Sequence, residues 1–73
     1  MKYQLLKWNL KDDIVFDLYE ITDDSSLERL IWSSGKTNFL NYEKWYRYED
    51  PTNYKHVEWV KWLSKEEAFI YTL

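Results

Sequence analysis

Ser25-Ser26-Leu27-Glu28-Arg29-Leu30-Ile31-Trp32-Ser33-Ser34-Gly35 is the stretch on which the fold class turns. Ser25 with Glu28 three residues on matches a capping box, in which each side chain bonds a free backbone N–H at a helix start. Leu27, Leu30 and Ile31 recur at helical spacing, and Gly35 stands where a helix end favours a left-handed residue. The spacing predicts a short helix from about Ser26 to Ser34. At about two and a half turns, such a helix depends on tertiary packing.

Upstream, the pattern has period two. Lys2 to Leu10 reads as a strand with Leu6, Trp8 and Leu10 on one face, and Ile14 to Ile21 as a second. In that second strand Ile14, Phe16 and Leu18 share one face, and Val15, Asp17, Tyr19 and Ile21 the other. Lys11-Asp12-Asp13 supplies the turn residues, so the pair reads as a β-hairpin. Downstream, Thr37 to Glu49 fits a strand better than a helix on its aromatic enrichment. Asp50-Pro51-Thr52-Asn53 is the clearest turn signal, with Pro51 presetting φ. Tyr54 to Leu63 reads as a further strand. Ser64 with Glu67 is a second capping box, opening a terminal helix from Lys65 to Tyr71 that buries Ala68 and Phe69. The expected architecture is α+β: one small antiparallel sheet with two short helices, in the order ββαββα, as a single domain over residues 1–73.

A chain of 73 residues without Cys buries only roughly 60% of its unfolded surface and has no disulfide to help. Five Trp, seven Tyr and three Phe compensate, because each buried ring removes roughly 150–250 Å² from water. No run approaches the roughly 20 apolar residues of a membrane span. Lys7 interrupts the N-terminal apolar run, so no signal peptide is expected. No Asn is followed by an acceptor Ser or Thr two residues on, and a cytoplasmic location is expected.

No catalytic centre, metal site or cofactor is expected. His56 is the single histidine, and nothing in the sequence joins it to a nucleophile and an acid. Adjacent acid pairs such as Asp12-Asp13 and Glu66-Glu67 cannot share a helix or strand face. Their spacing is also not that of a calcium loop. Ser34-Gly35-Lys36-Thr37 ends like a phosphate-binding loop. That motif wants a second glycine where Leu30 stands, and a preceding strand rather than the helix expected here.

Charge and aromatic surface carry what remains. From Asp12 to Glu28 lie seven carboxylates and no Lys or Arg, in a chain of net charge −3. Such a field speeds encounter with a basic partner. Asp23 and Asp24 have an alternative role beside a helix start, whereas no structural demand for Asp17 and Glu20 is evident. On Tyr54–Leu63 strict alternation puts Tyr54, His56, Val60 and Trp62 on one face and Val57, Trp59 and Leu63 on the other. Both faces are apolar, more than a short chain can cover, and exposed rings mark interaction sites.

The function expected is therefore a non-enzymatic protein-binding module that regulates or inhibits a larger partner. By analogy of composition it resembles small acidic inhibitors encoded by phages or mobile elements. Its candidate partner-binding residues are Asp17, Glu20, Asp23 and Asp24 for charge, and Trp45, Arg47 and Trp59 as anchors. Two alternatives stand beside it. One is a single-stranded nucleic-acid binder stacking bases on Trp45, Tyr46, Tyr48, Trp59 and Trp62 of a second hairpin, although acids there match the bases in number. The other is a structural subunit or homo-oligomer.

Overall fold

The structure is a computed structural model describing residues 1–35 and 43–73. Its elements are β1 (Lys2–Leu10), β2 (Asp13–Ile21), β3 (Leu27–Ser33), β4 (Tyr46–Arg47), a 3-10 turn (Pro51–Asn53), β5 (Val57–Leu63) and α1 (Lys65–Tyr71). The five strands form one antiparallel sheet in the order β4-β3-β2-β1-β5.

β1 and β2 form the expected hairpin, with Leu5 opposite Leu18 and Leu6 opposite Asp17. Because side chains alternate across a sheet, that register gives it two differently covered faces. On one, Tyr3, Leu5, Phe16 and Leu18 meet α1 (the helix face), with Leu5, Leu18, Leu63 and Ala68 as its buried centre. Burying each such leucine stabilises by about 1.5–3 kcal/mol. On the other, Gln4, Leu6, Ile21 and Leu30 are buried. That face is crossed by the segment from Tyr46 to Tyr54 (the strap face). There Pro51 is buried, Tyr54 stacks on Trp8 with ring centroids 5.6 Å apart, and Gln4 Nε2 donates to the Tyr48 hydroxyl at 3.3 Å.

The helix expected over Ser26–Ser34 is a strand, and the order ββαββα with two helices is corrected, among the described residues, to one sheet of five strands with a single C-terminal helix. Ser25 does not cap: its φ is 59°, a left-handed turn conformation. The Ser/Thr/Asp cluster builds the β2–β3 turn instead. Asp24 Oδ1 accepts from the Ser26 N–H at 3.0 Å and from the hydroxyls of Thr22 (2.7 Å) and Ser26 (2.6 Å). The Thr22 hydroxyl oxygen accepts from the Leu27 N–H at 3.1 Å. These residues compete for backbone groups as readily in turns as at helix starts. Leu27, Leu30 and Ile31 need no helix to explain their spacing, because both faces of the sheet are covered: Leu30 is buried on the strap face and Ile31 packs on the helix face. The register passes from Tyr19↔Leu30 to Leu18↔Trp32, leaving Ile31 as the extra residue, which joins Trp32 against the helix-face core. Gly35 has no positive φ; a Cβ there would sit 3.0 Å from both γ-carbons of Val15, so the site needs a small residue for close approach.

Further along, β4 keeps only Tyr46–Arg47 of the strand expected over Thr37–Glu49, and residues 37–42 of that stretch lie outside the described ones. The second hairpin does not form: β4 pairs with β3, and β5 pairs with β1 at the far edge. Asp50 caps the 3-10 turn through Thr52 N–H at 3.0 Å. α1 has the expected bounds and both halves of its capping box, Glu67 N–H to Ser64 Oγ at 3.1 Å and Ser64 N–H to Glu67 Oε1 at 3.0 Å. Ala68 is buried as expected, whereas Phe69 is 64% exposed.

Candidate functional site

Where β3 meets β4, the strap face carries a hollow of about 240 Å³ lined by Tyr19, Glu28, Arg29, Leu30 and Tyr46. The register makes the walls: Tyr19 lies opposite Leu30, and Glu28 opposite both Ile21 and Tyr46. Arg29 follows Glu28 and so belongs to the helix face. There its Nε and Nη2 each lie 2.8 Å from Glu20 Oε1, and its guanidinium carbon is 4.7 Å from the centroid of the Trp45 ring.

Glu28 is half-buried, and burial raises its pKa above the ordinary carboxylate value. The Glu49 N–H it accepts lowers it, and the charge of Glu49 raises it again. Burial also pushes the Tyr19 hydroxyl up, and the charges of Asp17 and Glu28 push it further. Tyr54 is raised to about 12, first by the hydrogen bond its hydroxyl donates to Glu49. Asp17 is raised by burial, against the 2.5 Å bond from Ser33 Oγ. Trp8 Nε1 is buried and has no hydrogen-bond partner among the described residues, yet its edge is near enough to Asp17 to favour the ionised form. Among the described strand residues, Lys2 is the one cation on this face by register, and it is engaged with Ser25 Oγ and the Trp62 ring. The hollow is thus a phenol-walled depression with negative charge beside it. Such walls attract cations twice over, through the carboxylate and through the ring quadrupoles.

The seven residues expected to bind a partner do not form one patch. Asp17 is on the strap face, held by Ser33; Glu20 is on the helix face, held by Arg29 and by the Tyr3 hydroxyl at 3.1 Å. Both therefore have the structural roles that the sequence left unassigned. Asp23 and Asp24 sit in the exposed β2–β3 turn. Asp23 lies 2.5 Å from the Met1 amine, and the hydroxyls of Ser26 and Thr22 lower Asp24 to about 2. Trp45 lies beneath Arg29, and Arg47 is exposed on β4. Trp59 is 40% exposed at the opposite edge of the sheet. The carboxylate run is therefore dispersed over two faces and two turns. The rings proposed to stack bases are divided too, between β4 and β5 at opposite edges.

Tyr19, Glu28 and Tyr46, which wall the hollow, are not among the seven residues expected to bind a partner; Tyr46 stands in the sequence reading only as a base-stacking ring. The sequence pattern places Glu28 in a helix cap. With Leu27–Ser33 as a strand, the Glu28/Leu30 alternation would have placed it beside Tyr19. Comparison of the chain with protein-family models, with curated proteins and with solved structures finds no match.

Proposed function

We propose that the protein is a non-enzymatic binding module that receives a cationic side chain of a larger protein partner in the strap-face hollow, and regulates that partner by occupying its basic surface. The observation that carries the reading is Glu28: a half-buried carboxylate between two phenol rings, flanked by a second carboxylate and, among the described residues, bonded to no cation. An arginine or lysine entering there gains a charge-assisted hydrogen bond and ring contact together. Arginine fits best, because its planar guanidinium stacks as well as bonds.

The test is calorimetric titration of the protein with a short Arg-containing basic peptide, at low and moderate salt. Glu28→Gln is expected to weaken binding by roughly tenfold or more, about the worth of one such contact. The charge-matched control Asp12→Asn, in the remote β1–β2 turn, is expected to leave it nearly unchanged. Equal losses in both variants would reduce the effect to net charge and sink the reading. Quenching of tryptophan fluorescence by single-stranded oligonucleotide, with no response to the peptide, would favour the nucleic-acid reading instead.

A further inference from the structure

At the edge of the sheet away from the hollow, β5 pairs, among the described residues, only with β1. Its outward backbone groups can be identified. Ser34 N–H donates to the Phe16 carbonyl at 2.8 Å, so the backbone groups of Phe16 face β3. Its partner on β1, Lys7, therefore turns toward β5 and Trp59, and one residue on Val60 turns its N–H and carbonyl away from the sheet. Trp62 does the same by alternation. Among the described residues no hydrogen bond reaches this outer edge from Trp59 to Trp62.

The side chains here differ from the strict alternation expected for the strand. A bulge between Trp8↔Val57 and Lys7↔Trp59 makes Glu58 the extra residue. Glu58 lies on the helix face, 2.9 Å from Lys7 Nζ and 2.6 Å from Asn9 Nδ2. The helix face of this edge therefore carries Glu58, Trp59 and Lys61, and the strap face Val57, Val60 and Trp62. Trp59 and Trp62 are 40% and 51% exposed.

We propose that β5 pairs antiparallel with β5 of a second copy of this chain about a two-fold axis at Val60, joining two sheets into one. A two-fold axis normal to the sheet must map a residue onto its own counterpart, and centring it on Val60 makes the edge self-complementary. The two Val60 residues exchange both outward hydrogen bonds. On the helix face Trp59 lies opposite Lys61 of the second copy, and Lys61 opposite Trp59, giving two cation–π contacts. Glu58, next to Trp59 on the same side, flanks that incoming Lys61 with opposite charge. On the strap face Trp62 covers Val60 and Val57 of the second copy. No like charges meet. The pairing closes, because each remaining edge is the two-residue β4. An interface of this kind is at or below about 1,200 Å², so the dimer is weak and concentration-dependent. It is independent of the hollow, which lies at the opposite edge.

Sedimentation of the full chain up to roughly 1 mM, the weak end of specific association, is expected to show a mass rising toward twice 9.2 kDa. Hydrogen exchange is expected to show the Val60 and Trp62 amides gaining protection over the same range. Lys61→Glu, at an exposed position, places carboxylates together across the axis and is expected to weaken association at least tenfold with circular dichroism unchanged. Val60→Pro removes an N–H the folded chain does not use and is expected to abolish association. Association unaltered in Lys61→Glu overturns the proposal, as does a dimer whose β5 amides stay unprotected. A chain that remains monomeric throughout, with these amides protected only by an added extended peptide of another sequence, overturns it and assigns the edge to a foreign strand.

Discussion

Asp17 and Asp24 lie only seven positions apart, yet folding moves their titrations in opposite directions. Asp17 is raised from 3.8 by burial. Its ionisation costs stability, so its contribution falls as pH rises from the ordinary value through the folded one. Glu28 acts in the same sense. Asp24 is lowered to about 2, and Asp50 and Glu67 are lowered too, each by hydrogen bonds to the ionised form. Their contribution is complete above the ordinary carboxylate values and is lost as pH falls toward 2. Stability is therefore expected to rise steeply from pH 2 to about pH 4 and to decline gently above it. In Asp17→Asn the upper decline should flatten. Urea midpoints measured across this range check both limbs; a midpoint that climbs steadily to pH 7, alike in wild type and Asp17→Asn, contradicts the assignment. At this scale the sequence marked the chemistry but not the partners. The acids were visible as a run, and what was invisible was that strand pairing sets Ser33 against Asp17 and Arg29 against Glu20.

The elements show why one capping box held and its twin failed. Ser64-x-x-Glu67 follows the buried end of β5 and precedes Ala68, which has the helix-face core to dock on, so local preference and packing agree. Ser25-x-x-Glu28 is the same signature, but Thr22 and Asp24 draw the backbone N–H groups of Ser26 and Leu27 into a turn, and β2 offers a free edge to the residues that follow. Short segments follow tertiary opportunity rather than intrinsic helix preference. Removing the working box is expected to matter. Ser64→Ala should cost about 1 kcal/mol in chemical denaturation, with loss of amide protection confined to the first turn of α1. Uniform loss of protection across the sheet would mean that Ser64 serves more than the helix. Two bulges break strict alternation: Ile31 with Trp32 in β3 and Glu58 with Trp59 in β5 each put two successive side chains on one face, which in β5 reverses half of the face assignment. The helical spacing in β3 has another source, two covered faces that both take apolar side chains. The uninterrupted strands, β1 and β2, were legible almost to their ends.

At the scale of the whole molecule, one sheet is covered on one face by a two-turn helix and on the other by a strap containing Pro51. That cover conceals Leu6, Leu18 and Ile21 but leaves Trp59 and Trp62 half-open. The surplus of ring surface was legible in composition; its position was not, because the strand order separates residues that are close in sequence. The strand order also has a kinetic side. β1 is flanked by its hairpin neighbour β2 and by β5, whose Glu58 reaches Asn9 across 49 positions of chain. The hairpin can form within roughly ten microseconds, but its apolar flank must wait for a distant segment to diffuse back. Refolding followed by tryptophan fluorescence is accordingly expected on the millisecond-to-second scale of nonlocal β topologies, and a microsecond relaxation to full protection would argue against it. During that interval the β1 edge stands bare, and it is then, rather than after closure, that the chain is most open to sticking to whatever strand arrives first.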